Sequence, residues 1–263
     1  MNKKLLSLLF LLVSPQLNAT INHIFIDINL LVDTSSSAAS KEIGTWNATK
    51  YLARMGKIPN KSDFFKSLKK CTALSHQQTY NEDLLMPSIL SDWLLGLESN
   101  SVIKSKIFKH LDKSSLHDIE KTVFKNISNM MLSPKVFIDT QYFRKDIAKI
   151  IQNLNKNKLY TIHFIGNWDK ESEPLLIKML QSQSVGTAQQ CIFSNKLKQI
   201  KPHPEYYDAL LGYTNYEPSD CLVIDVEKTH PKGATDSGMK SILIKNYSAQ
   251  QLKTNLLQHS IHC

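Results

Sequence analysis

Several residue types able to do chemistry stand at the ends of short apolar runs. Asp27 and Asn29 close the run HIFIDI at 23–28. Gly166, Asn167, Trp168 and Asp169 finish or follow LYTIHFIG at 159–166. Lys201 opens KPHPEYYDALL, just past CIFS at 191–194. Asp225 ends CLVID at 221–225, with Glu227 two residues on. A carboxylate can attack as a nucleophile, an ammonium offsets an anion's charge, and an amide orients a ligand. Strand ends also favour Asp and Asn simply as turn formers. Function therefore depends on whether these groups meet.

The runs that carry them, with SILIK at 241–245, are four to eight residues long and rich in β-branched or aromatic side chains. Such runs suit strands buried on both faces. Phe143, Ile147, Ile150, Ile151 and Leu154 recur at helical spacing before the second run, and Tyr206, Tyr207, Leu210 and Leu211 do so after Pro204. Strand–helix alternation of this kind predicts an α/β fold, a Rossmann-like parallel five-stranded sheet. Ligands in such sheets bind beyond the carboxyl ends of the strands, where these residues would stand.

Residues 35–141 break the rhythm. They are too many for one crossover and carry helical patterns such as Ile119, Val123, Ile127 and Met131, punctuated by Pro59, Pro87 and Pro134. We read them as a helical cap inserted after the first strand, leaving 20–34 and 142–263 as the core. Residues 1–19 have the three parts of a signal peptide: Lys3 and Lys4, an apolar run from Leu5 to Val13, then Pro15 and Ala19. The run is short of the ~20 residues that span a bilayer. The expectation is an exported protein, periplasmic or secreted, with no stable membrane anchor after cleavage; an uncleaved anchor or an N-terminal core helix is the other reading.

The chain has 263 residues, 42% of them hydrophobic, which excludes disorder. Its charge of +9 is scattered, without the basic runs and interleaved aromatics of a nucleic-acid binder. Cys71, Cys191, Cys221 and Cys263 are too widely spaced to signal zinc or a redox pair. Trp46, Trp93 and Trp168 suit packing better than a ligand pocket. His23 and His163 suit core or edge positions, and His203 a loop.

Four segments together resemble the haloacid dehalogenase-like hydrolases. FIDINLLVD stands where that family has a strand and D-x-D-G. YTIHFIGNWDKES matches its strand ending in Ser or Thr, often followed by Asn. IKPHPEYYDALL matches its lysine segment. CLVIDVEKTHPKGATDSGMKSILIKN matches its strand ending in paired acids, with a small helix after it. Order and spacing agree over 20–34 and 142–246.

The resemblance implies a two-step phosphoryl transfer. Asp27 would be the nucleophile and Lys201 the cation beside the phosphate. Asn29, Gly166 and Asn167 would bind substrate, and Asp27 and Asp225 would hold Mg2+. It also implies a strand order that separates Cys191 from Cys221, leaving them unbridged.

The departures are chemical. Asn29 replaces the general acid, and an amide cannot donate a proton as an acid. Leu30 replaces a glycine that lets backbone approach the phosphate. Gly166 lacks the hydroxyl, Val226 replaces the second acid, and His230 replaces the Asn of the following turn. Glu227 should point away from the side Val226 faces. Dehalogenating relatives also lack the second Asp and need no metal, but they ask for polar residues that Gly166 and Val226 do not supply. The expectation is an eroded phosphotransfer site, weak or non-catalytic, holding a small phosphorylated or anionic ligand with Mg2+ weakly bound. The alternative is an active magnesium-dependent phosphatase working through an aspartyl phosphate.

Overall fold

The computed structural model describes residues 20–56, 64, 66–68 and 87–262. The signal-peptide segment 1–19, Pro59, Cys71 and Cys263 lie outside the described residues.

The five runs form the sheet, with slightly shifted ends. Strands β1 (His23–Asp27), β4 (Thr161–Gly166), β5 (Cys191–Phe193), β6 (Cys221–Asp225) and β7 (Lys240–Leu243) are parallel, in the order β5-β4-β1-β6-β7. Alternate side chains feed two cores, which is why the runs are apolar throughout. Ile24, Ile26, Ile162, Phe164, Leu222 and Ile224 face one layer. Phe25, Ile165, Val223 and Cys221 face the other, against Tyr206, Tyr207 and Leu210. The helix Lys145–Lys156 covers the first face with Ile147, Ile150, Ile151 and Leu154, as their spacing predicts; Phe143 belongs instead to a short strand before it.

That strand, β3 (Gln141–Phe143), pairs antiparallel with β2 (Val32–Thr34). The helical segment thus departs from this ribbon rather than directly from β1. Its helices include Ser36–Ile43, Thr45–Met55, Ser88–Leu94, Asn100–Lys113 and Asp118–Met131. They share a core of their own, built on Tyr51, Trp93, Ile103, Ile107, Leu111, Val123 and Phe124. Polar bonds tie this segment to the loops beyond β4 and β5. Ser194 Oγ donates to the Leu94 carbonyl (2.7 Å), Lys198 Nζ to the Leu95 carbonyl (2.7 Å), and Asn100 N to Glu171 Oε1 (2.7 Å). The helical layer therefore meets the sheet at its carboxyl edge.

Trp93 and Trp168 are buried in the packing that their type predicts. Trp46 is not: it is 68% exposed, with Lys50 over its ring. Cys191 and Cys221 are free and buried, with two strands between them. Burial pushes both thiols up to about 12, so neither is a nucleophile at neutral pH. Among the described residues no helix is long and apolar enough to cross a membrane.

Candidate active site

β1 and β6 lie side by side, with Ile26 opposite Ile224. The next residue of each strand is Asp27 or Asp225, so two carboxylates leave the sheet together. This is the point where the strand order turns, with β4 on one side of β1 and β6 on the other.

Lys201 comes from the loop after β5. Its peptide is fixed by Asn167, whose Oδ1 accepts from Lys201 N (2.9 Å) and whose Nδ2 donates to the Lys201 carbonyl (3.0 Å). So anchored, Lys201 Nζ donates to Asp27 Oδ2 and to Asp225 Oδ2, the latter at 2.5 Å. The neighbouring helix His230–Asp236 passes so close that a Cβ on Gly233 would sit 2.5 Å from the Pro202 carbonyl oxygen. Tyr207 Oη donates to the His230 carbonyl (3.0 Å) and locks the same junction.

His230 begins that helix. Its Nδ1 donates to Asp225 Oδ1 (3.0 Å), which also accepts from Val226 N (2.7 Å) and Glu227 N (3.0 Å). Asp27 Oδ1 accepts from Asn29 N (2.6 Å), the bond that caps the helical turn Ile28–Leu31. Every oxygen of the two carboxylates thus has a protein donor. Asp27, Lys201 and Asp225 are all buried.

Burial drives the Asp27 carboxyl upward, and Asp225 adds to that; Lys201 opposes them without prevailing. Burial also acts on Asp225, but Lys201 and then His230 overturn it and hold that carboxyl well below the usual range. Burial opposes the charge on Lys201, yet Asp225 and Asp27 raise it well above the ordinary lysine value. The two buried carboxyls are therefore pushed in opposite directions, Asp27 toward its protonated form and Asp225 toward its charged form. Two like charges so near a single cation favour a proton on one of them.

Asp27, Asn167, Lys201 and Asp225 meet as the sequence predicts, but their contacts differ from the implied roles. Asn167 spends both polar atoms on Lys201. Asn29 is exposed and gives Asp27 only its backbone N–H. Asp169 lies away from the cluster; it accepts from Glu171 N, Ser172 N and Ser172 Oγ and so shapes its own loop. Glu227 is exposed, with only its N–H directed at Asp225.

Leu30 is fully buried in the sheet's own core. The residue packed against Gly166 is Ile28. A Cβ placed on Gly166 would meet Ile28 Cγ2 at 2.9 Å, and Gly166 itself has φ +156°. Gly166 N also donates to Tyr206 Oη (3.1 Å). Gly166 thus meets an aliphatic contact, and the apolar letter between Asp27 and Asn29 gave no signal of it.

Sequence reasoning also missed Arg144. Its Nη1 donates to the Asn29 carbonyl (2.6 Å) and its Nη2 to Asp33 Oδ2 (2.5 Å), while its guanidinium stacks 3.6 Å above Tyr247. It holds the turn after Asp27 against the ribbon. A cleft of about 570 Å³ beside that ribbon is lined by Asp33, Thr34, Ser35, Ser36 and Tyr142, not by the buried cluster.

No protein-family model matches the chain, and no curated protein matches it by sequence. Solved structures do match its fold. A HAD-family enzyme from Bacteroides thetaiotaomicron aligns over 85% of this chain and 93% of its own, at 12% identity and a TM-score of 0.54. The same enzyme has been solved with magnesium and inorganic phosphate, aligning with a TM-score of 0.52 at 12% identity over 85% of this chain and 93% of its own. A protein described as a predicted HAD-like family hydrolase from Porphyromonas gingivalis aligns over 91% and 99%, at 11% identity and 0.54. A 2-haloacid dehalogenase from Pseudomonas syringae pv. Tomato aligns over 91% and 99%, at 14% identity and 0.50. The chain therefore has the haloacid dehalogenase-like fold.

Proposed function

We propose that this chain is an exported protein of haloacid dehalogenase-like fold whose phosphotransfer site has closed, leaving it weakly catalytic or non-catalytic and holding a small phosphorylated or anionic ligand. The observation that carries this reading is the saturated, buried Asp27–Lys201–Asp225 cluster. A nucleophilic Asp27 would need its charge free and its oxygen reachable. Here burial favours its protonated form, and both oxygens are engaged. With Asn29 in the acid position a leaving alkoxide departs unprotonated, a loss of roughly 10²–10⁴ in rate. The remaining affinity for an anion rests on Lys201, two of whose three donors are used by carboxylates. The helices of 35–141 would act as the cap over this edge.

Magnesium takes octahedral oxygen ligands. The residues present do not fit it as they stand, because the Lys201 ammonium bridges the two carboxylates. Release of phosphate from a panel of small esters, with and without magnesium, tests the reading. The expected result is feeble release that magnesium hardly changes. Robust magnesium-dependent turnover abolished by Asp27→Asn would overturn it. Intact mass of protein from an exporting host tests the first 19 residues: export with cleavage gives a chain beginning at Thr20.

The second reading is an active magnesium-dependent phosphatase. It is favoured by the magnesium and phosphate bound in the Bacteroides thetaiotaomicron enzyme and by ligand atoms of Asp27, Asp225 and His230 that lie within 4.8 Å of one another.

A further inference from the structure

We propose that Lys201 is the site's own cation: its ammonium stands where a divalent ion bridging Asp27 and Asp225 would stand, and Asn167 is the positioning residue that holds it there. The inference deepens the closed-site reading and rests on it.

The first observation is the place of the charge. Lys201 Nζ donates to Asp27 Oδ2 and to Asp225 Oδ2, one oxygen from each carboxylate, and the Lys201 side chain is only 1% exposed. A magnesium ion bridging those oxygens would come within about 2.1 Å of each. It would then press against the ammonium, and two cations in contact in a buried site repel strongly. The remaining oxygens face other donors. Asp27 Oδ1 accepts from Asn29 N, and Asp225 Oδ1 accepts from Val226 N, Glu227 N and His230 Nδ1.

The second observation is what grips the lysine at its root. A lysine stem is flexible, so an ammonium stays in one place only if its backbone is fixed. Asn167 directly follows β4 and turns both polar atoms to the Lys201 peptide, at 2.9 and 3.0 Å. From the other side the helix His230–Asp236 closes on the next residue, with no room for a Cβ on Gly233 against the Pro202 carbonyl oxygen. The Lys201 peptide is therefore gripped between two elements, and Asn167 supplies the only side-chain bonds to it.

Calorimetric titration of Mn2+ into the full chain, Lys201→Ala and Asn167→Ala tests the proposal. Each protein is also melted alone, with Mn2+ and with n-propylammonium, the fragment that Lys201→Ala deletes. The expected result is no saturable binding by the wild type, one Mn2+ bound roughly tenfold or more tightly by Lys201→Ala, and Asn167→Ala between them. Either cation should raise the melting temperature of Lys201→Ala and leave that of the wild type unchanged. If Lys201→Ala does not fold alone, its refolding on addition of either cation gives the same answer. Mn2+ binding by the wild type as tight as that of Lys201→Ala would overturn the proposal, because the lysine would then yield its place. So would a Lys201→Ala protein that responds to neither cation. A folded Asn167→Ala that binds no better than the wild type would overturn the role of Asn167. Metal binding without phosphate release by the wild type would sink this proposal and leave the closed-site reading standing; metal-independent phosphate release would do the reverse.

Discussion

β1 carries a polar cluster at each end, and the two are built on opposite terms. At its carboxyl end Asp27 joins Lys201, Asp225 and His230, and every carboxylate oxygen has a donor. At its amino end His23 stacks on Tyr216, ring centroids 3.5 Å apart, while His163 from β4 meets Tyr216 Oη through Nε2 at 3.2 Å. There the Nδ1 atoms of both histidines are buried without a hydrogen-bond partner. Charge at the first end is retained because it is fully paired. At the second end charge is excluded: burial, with His23 contributing, lowers His163 to about 4, and His23 is lowered too. One end of the strand thus keeps its charges by pairing them, and the other resists charge by burial.

The largest expected effect comes from breaking the ionic end. Lys201→Met removes the cation shared by two buried carboxylates, and loss of one partner of a buried ion pair costs about 3–5 kcal/mol. Asp27→Asn should cost less, since burial already pushes the Asp27 carboxyl toward its neutral form and Lys201 keeps Asp225. Urea denaturation of the two variants at neutral pH checks the order. Equal losses would mean that the charge on Asp27 matters as much to the cluster as the charge on Lys201.

Acid should find the histidine end first. Above pH 6.5 the His163 ring is neutral both folded and unfolded. Between 6.5 and about 4 the unfolded chain takes a proton that the folded chain resists, so stability falls with pH. Below that window both states are protonated and the loss is complete, on the order of 2–3 kcal/mol. Asp225, with its lowered carboxyl, gives up its contribution only below the ordinary carboxylate value of 3.8. Asp27, with its raised carboxyl, works the other way: the folded state takes its proton at higher pH than the unfolded chain, so its contribution rises as pH falls. His163→Phe keeps the ring packing on Phe25 and should flatten the urea midpoint between pH 6.5 and 4. An unchanged slope would refute the assignment.

These two ends were unequally legible in the sequence. The sheet could be read because its strands are buried on both faces and so appear as unbroken apolar runs. Asp27, Asn167, Lys201 and Asp225 could be placed because each follows such a run. Their contacts could not, since Asn167 turned to a backbone rather than a ligand and Ile28, not Leu30, filled the space over Gly166. The ring cluster joins residues 23, 163 and 216, and no spacing rule connects an isolated Tyr to two histidines on different strands. Arg144 was silent for the same reason: its partners are carbonyls 114 and 115 residues away.

A smaller effect tests the packing over Gly166. Gly166→Ser adds a hydroxyl but drives its Cβ against Ile28 Cγ2, an atom on a β-branched, fully buried side chain with little room to move. Such overpacking costs typically about 1–3 kcal/mol. Ile28→Ala removes the obstructing methyl and opens a cavity of its own. If the contact is the obstacle, the double variant loses less than the two single losses added together, by roughly 0.5 kcal/mol or more. Additive losses would place the strain in the Gly166 backbone instead.

The smallest change bears on the histidine end. Tyr216→Phe keeps the ring that stacks on His23 and deletes only the hydroxyl that meets His163 Nε2. His163 Nδ1 already lacks a partner, so the variant leaves the ring with none among the described groups around it. An unmade bond to a buried group costs about 1–3 kcal/mol, and the hydroxyl's own desolvation, no longer required, offsets part of that. The expected loss is therefore about 1 kcal/mol at pH 7.5, where both histidines are neutral. The same substitution at the ionic end would be far more damaging, because there each donor offsets a charge. If Tyr216→Phe costs as much as Lys201→Met, the hydroxyl is paired with a charged imidazole, and the contrast between the two ends of β1 fails.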